Sequence, residues 1–149
     1  ACMTIGAFGI VILLARGTVR GDQIDDFSGL AQRSPLAAAI MLLFLLSLTG
    51  IPPTGGFVGK LYLFAAAIEA GYVWLALIAV INSAISLYYY MRVVMVMYMR
   101  ELPVQGIALS QSPALYLGLF LAAAVTLLLG IFPGPVLEFA RASAVGIAG

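Results

Sequence analysis

The stretch "LTGIPPTGGFVGKLY", residues 48–62, places two prolines and four glycines inside a long apolar run, together with Lys60, the only lysine of the chain. Pro52 and Pro53 remove two amide donors and block the preceding helical turn, while Gly50, Gly55 and Gly56 allow backbone conformations that other residues resist. The expected result is a break of about residues 49–56 within a helix. In hydrocarbon, backbone groups freed by such a break must be buried in protein or line a water-filled cavity, since each unsatisfied group costs several kcal/mol. One reading is a proline kink kept for packing. The sharper one is a discontinuous helix of the transporter type. Its free carbonyls, half-helix ends and the hydroxyls of Thr49 or Thr54 would hold water or ions near the midplane.

The rest of the composition supports a membrane setting. Of 149 residues 64% are hydrophobic and 9% charged, with a mean hydropathy of +1.15, outside the range of ordinary soluble domains. The fold class expected is all-α and integral to the membrane. The chain has no histidine and one cysteine, and no cluster with metal-ligand spacing, so no cofactor or metal is expected in it. A net charge of +1 without a basic run argues against nucleic acid and leaves the bilayer as the main environment. The sequence opens directly on the apolar run Ala1 to Ala15 without an initiator Met. That run is shorter than the ~20 residues a crossing needs, so it reads as the end of a transmembrane helix that begins upstream. A signal peptide fits less well, lacking a basic leading region and a cleavage motif.

Residues 16–34, "RGTVRGDQIDDFSGLAQRS", form the most polar stretch and read as a cytoplasmic loop. Asp25 or Asp26 would cap a short turn running to Gln32, and Ser34-Pro35 would open the next helix. Residues 35–71 are too long for one plain crossing. Each half would rise only ~20 Å, so the economical solution is one crossing made of two half-helices. Residues 72–99 form a full crossing with Trp74 and Tyr98 near its ends, 100–112 a second cytoplasmic loop, 113–132 the last crossing and 133–149 a C-terminal tail. With the broken segment counted as one crossing, Arg16, Arg20, Arg33 and Arg100 fall on one side and Arg141 on the other. The excess of arginine places both loops inside and the C-terminus on the outer, periplasmic side.

Lys60 lies about 15 Å of helix from the next loop, too far to reach the headgroups. Burial disfavours an ammonium over the neutral amine, which favours Lys60 as a proton carrier; the alternative is a structural lysine paired with a carbonyl. Phe57, Leu63 and Phe64 share its face and Glu69 does not, so a partner would come from another helix or chain. In the next crossing Asn82, Ser86, Tyr89 and Tyr90 recur at helical spacing. They read either as a proton path or as contacts between helices, with Arg92 snorkelling or serving the same path. The last crossing, whose polar side chain is Thr126, reads as packing and lipid surface.

The runs "LLSLTGIPPTGGFVGKLYLF" and "SAISLYYYMRVVMVMYM", with "GAFGIVILL", "IDDFSGLAQRSP" and "GIFPGP", resemble the C-terminal part of the subunit N family of bacterial proton-pumping NADH–quinone oxidoreductase, respiratory complex I. "GKLYLF" and "LYYYMR" favour subunit N over its sister subunits M and L. The resemblance covers nearly the whole chain. It implies a fragment of an antiporter-like bundle of inverted repeats with one discontinuous transmembrane helix, and it puts the family's functional lysine on Lys60. It also implies a bacterial inner membrane location, neighbouring antiporter-like membrane-arm subunits as partners, and flavin, iron–sulfur clusters and quinone in other subunits. A subunit of a sodium/proton antiporter of the related family is the alternative, and a purely structural membrane linker is a third reading.

Overall fold

The computed structural model describes residues 1–15, 23–101, 113–136, 138, 139 and 142. Arg16, Arg20 and Arg141, on which the orientation count leans, lie outside the described residues, as do most of the expected 100–112 loop and much of the tail.

The secondary elements among the described residues are all helical: α1 (Cys2–Ala15), a 3₁₀ turn (Ile24–Phe27), α2 (Leu30–Arg33), α3 (Pro35–Thr49), α4 (Gly55–Glu69), α5 (Val73–Met99) and α6 (Pro113–Ile131). α5 and α6 are long and apolar enough to cross a membrane. Their 27 and 19 residues rise about 40 and 28 Å, against a hydrocarbon core of ~30 Å. α3 and α4 have 15 residues each, about 22 Å apiece. Either alone falls short of that thickness.

Ser34 opens α3 by accepting the Ala37 N–H on its Oγ at 3.4 Å, and Pro35 fills a first-turn position that needs no donor. α3 then buries Ala37, Ala38, Ile40, Met41, Phe44, Leu45, Ser47 and Thr49, and it touches every other helix. It is the innermost element. α1 packs against α3 and α6 through Gly6, whose missing side chain leaves room for the Phe44 ring, and through Ile10, Leu13 and Leu14. By contrast α4 buries only Gly56, and α5 leaves Trp74, Leu75, Ile78, Ile85 and Tyr88 exposed. Lipid tails are as apolar as these side chains, so such exposure carries no penalty in a bilayer.

At the loop end, Phe27 and Leu30 join Val96 and Met97 of α5 in one buried cluster. Asp25 pairs with Arg100 just past the end of α5, so residue 25 and residue 100 sit at the same end of the bundle. The expected aspartate cap is not how this segment folds. Asp25 and Asp26 lie inside the 3₁₀ turn, with Asp26 Oδ2 accepting the Gln23 N–H at 3.1 Å, and α2 begins after Gly29 in left-handed backbone (φ 64°). Gly29 turns the chain so that Arg33 Nη2 donates back to the carbonyls of Ser28 (2.5 Å) and Asp26 (3.2 Å). Burial lowers the Arg33 pKa from its ordinary value and the Asp26 charge raises it.

Candidate functional site

The last carbonyls and first amides of the two half-helices are the groups that a break leaves unpaired. Here their partners can be followed one by one. Gly50 takes left-handed backbone (φ 85°, ψ 47°). Its N–H donates to the Ser47 and Leu46 carbonyls, and the Ile51 N–H donates to Leu46 O at 3.0 Å. This is the pairing of a Schellman motif, which glycine serves because it lacks a Cβ. It leaves two carbonyls of α3, those of Leu48 and Thr49. Both are taken by Lys60, whose Nζ donates to each at 2.9 Å.

α4 is completed in the opposite direction. Thr54 precedes its first residue, but the Thr54 hydroxyl donates back to Ile51 O at 2.7 Å and does not cap the helix. The cap comes from α3, where Ser47 Oγ accepts the Gly56 N–H at 3.1 Å in a fully buried position. Backbone meets backbone at this point. A Cβ on Gly56 would overlap the Ser47 carbonyl, so no other residue fits without separating the half-helices. Each half-helix therefore caps the other: Ser47 of α3 serves α4, and Lys60 of α4 serves α3.

Thr49 Oγ1 donates to Leu46 O at 2.7 Å and Thr54 Oγ1 to Ile51 O at 2.7 Å, which uses each hydroxyl proton locally and leaves the oxygen lone pairs. The α3 carbonyls are filled by protein donors rather than left open. Lys60 finds its partners at the C-terminal end of α3, which lies within reach of its side chain. Pro52 and Pro53 are exposed and joined by a cis bond.

Lys60 is half-buried and lines a cleft of about 330 Å³ with Met3, Ser47, Leu48, Gly56 and Gly59. A second cleft of about 160 Å³ shares Met3, Ser47, Gly55 and Gly56 and adds Thr126 of α6. A third of about 330 Å³ lies toward the loop end between α1, α3 and α5, lined by Thr4, Met41, Leu48 and Tyr90 among others. Leu48 lines both this cleft and that of Lys60.

The polar stripe of α5 divides. Ser86 is buried, yet its Oγ donates to Ser83 O of its own helix at 2.7 Å. Tyr90 is half-buried and packs edge-on against Tyr89, with ring centroids 4.6 Å apart. Asn82, Tyr89 and Arg92 are exposed on this chain. Thr126 is buried, donating to Ala122 O at 2.7 Å. The residue that sequence reasoning missed is Ser47. Its one signal was a hydroxyl within "LLSLTG", nine residues before a glycine of the second half-helix.

The chain is similar to known membrane subunits. The family described as "NADH:quinone oxidoreductase/Mrp antiporter, TM" matches residues 1–86. The chain is 47% identical over 149 residues to "NADH-quinone oxidoreductase subunit N 1" of Solibacter usitatus, covering 99% of this chain and 30% of the relative. It is 42% identical over 139 residues to "NADH-quinone oxidoreductase subunit N" of Trichlorobacter lovleyi, covering 93% and 28%. Among solved structures it resembles a chain of respiratory complex I from Thermus thermophilus with bound Aureothin, with TM-score 0.76 and 29% identity over 92% of this chain and 32% of the other. It thus spans about 30% of the length of the relatives it matches. With more than half of its residues matched, the chain belongs to the NADH:quinone oxidoreductase/Mrp antiporter family of membrane subunits.

Proposed function

We propose that the chain is part of a proton-translocating membrane subunit of an NADH–quinone oxidoreductase, in which Lys60 carries the proton and the redox chemistry takes place in other subunits. The observation that carries this reading is the position of the Lys60 ammonium across the break, on the Leu48 and Thr49 carbonyls. The negative end of the α3 dipole favours the ammonium, while apolar surroundings favour the amine, so one group can rest in either state. Lys60–NH₃⁺ gives one proton to water in the adjoining cleft and becomes –NH₂, and the reverse step reloads it. Leu48 lines both the cleft that holds Lys60 and the one lined by Tyr90, so a proton route from the side of the 16–34 loop would pass Tyr90.

Relatives named as NADH-quinone oxidoreductase subunits favour redox coupling over the sodium/proton antiport alternative, although the family description also names an Mrp antiporter. The expected location is the bacterial inner membrane, among other membrane-arm subunits, with the C-terminus outside. The test is Lys60→Ala in the full-length subunit within its complex, with NADH-driven proton uptake followed in inverted vesicles. Uptake should fall with assembly intact. Undiminished uptake by a correctly assembled variant would sink the proton-carrier role.

A further inference from the structure

Lys60 does more at the break than hold a charge. Its ammonium fits a place that is built in three parts from α3 and the residue after it. Two carbonyls, Leu48 O and Thr49 O, converge on Nζ at 2.9 Å each, and they are the two that the Schellman pairing leaves over. The aliphatic stem lies over Gly50, where a Cβ would come within 2.9 Å of Lys60 Cδ and 3.5 Å of Nζ. Beside the ammonium is the cleft of about 330 Å³, which holds no other titratable side chain among its described lining residues. α3 itself carries none. On the other elements packed against α4, the titratable or charged side chains are Tyr72 at the start of α5, Tyr88, Tyr89, Tyr90, Arg92 and Tyr98 of α5 and Tyr116 of α6; α4 adds Tyr62 and Glu69, both exposed.

We propose that the C-terminal end of α3 is a cation seat, specific for a primary ammonium with N–H donors, that Lys60 occupies as a tethered ligand. The proposal rests on the reading of Lys60 as the proton carrier and deepens it by naming what the ammonium binds. Two carbonyls close together at the negative end of a helix favour a small cation, and hydrogen bonding to both needs at least two N–H groups. A cation without them gains the charge term but not the bonds. Occupation of the seat closes the break from one side as Ser47 closes it from the other, so a change in the state of Lys60 is felt as a change in the geometry between α3 and α4.

The test is chemical rescue of Lys60→Ala in the full-length subunit within the intact complex, since removing the stem leaves the seat and a space for a soluble amine. Inverted membrane vesicles are driven with NADH. The electrical potential is read rather than the pH gradient, because permeant amines collapse the latter. Methylammonium and ethylammonium at millimolar concentration should restore at least half of the potential lost in Lys60→Ala, and leave the unsubstituted complex unchanged; tetramethylammonium should restore none. Rescue by tetramethylammonium to the same extent, or no rescue by any amine, overturns the seat while leaving the carrier reading intact. A full potential in Lys60→Ala without amine overturns the carrier reading itself and the seat with it. Gly50→Ala keeps Lys60 and serves where Lys60→Ala does not assemble: a methyl group against the lysine stem should lower the potential with no recovery on adding amines, and an undiminished potential overturns the proposal.

Discussion

Two glycines one turn apart in α4 should respond oppositely to the same added methyl group. At Gly56 a Cβ would overlap the Ser47 backbone carbonyl and crowd its hydroxyl. Backbone cannot swing aside as a side chain can, so the half-helices must separate. Overpacking of this kind costs about 1–3 kcal/mol, and separation also strands the buried Gly56 N–H that Ser47 Oγ accepts, for about 1–3 kcal/mol more. The better helix propensity of alanine offsets about 1 kcal/mol of this, leaving a net loss of about 1–5 kcal/mol. At Gly59 no atom lies within 4 Å of the added Cβ, and the same substitution should stabilise α4 by up to about 1 kcal/mol. The assay is the heat-induced dissociation midpoint of the purified complex carrying Gly56→Ala or Gly59→Ala, measured side by side with the parent. Gly56→Ala should lower the midpoint or abolish assembly, and Gly59→Ala should leave it unchanged or raised. Equal midpoints for the two variants would refute the claim that α3 and α4 meet backbone to backbone at Ser47.

Ser47→Ala removes the acceptor without adding bulk, and should cost about 1–3 kcal/mol through the stranded Gly56 amide, seen as a lower dissociation midpoint. Thr126→Val should change that midpoint little, because the Thr126 hydroxyl bonds a carbonyl of its own helix and that bond is worth about 1 kcal/mol at most. Asp25→Asn should also be nearly silent. The Asp25–Arg100 pair is exposed, and exposed pairs contribute about 0–1 kcal/mol. Arg33→Met should loosen the 23–34 segment, as two bonds from a charged donor are lost at about 1.5–3 kcal/mol each, and expose it to protease in intact vesicles. Burial lowers the Arg33 pKa, but folded and unfolded states both keep the guanidinium protonated through the neutral range. Their proton counts are equal there, and the contribution should show no slope with pH.

How the sequence and the structure divide the explanation is clearest at the break. Proline pairs and glycine pairs have few uses inside an apolar run, so an interruption near residues 49–56 can be read from their backbone chemistry alone. The interruption in the structure runs from Gly50 to Thr54. Lys60 stood out as the only lysine, in a place where a charge is costly. The stripe on α5 was legible as a spacing but not as a face. Asn82 and Tyr89 are exposed where Ser86 is buried and Tyr90 half-buried, because the packing of α3 decides how much of the stripe is covered and period alone does not.

The sequence by itself determined a membrane-embedded helical chain, a helix interrupted by residues that cannot continue it, and a lone lysine beside the interruption, since composition and backbone sterics are local properties. Only the tertiary structure decided what the freed groups do. The contact of Gly56 with Ser47, nine residues earlier, and the reach of Lys60 to carbonyls eleven and twelve residues behind it depend on how the two half-helices lie against each other. That placement is set by packing around α3 and by the left-handed turn at Gly50. It turns an interruption that should expose backbone into two helix ends that cap each other.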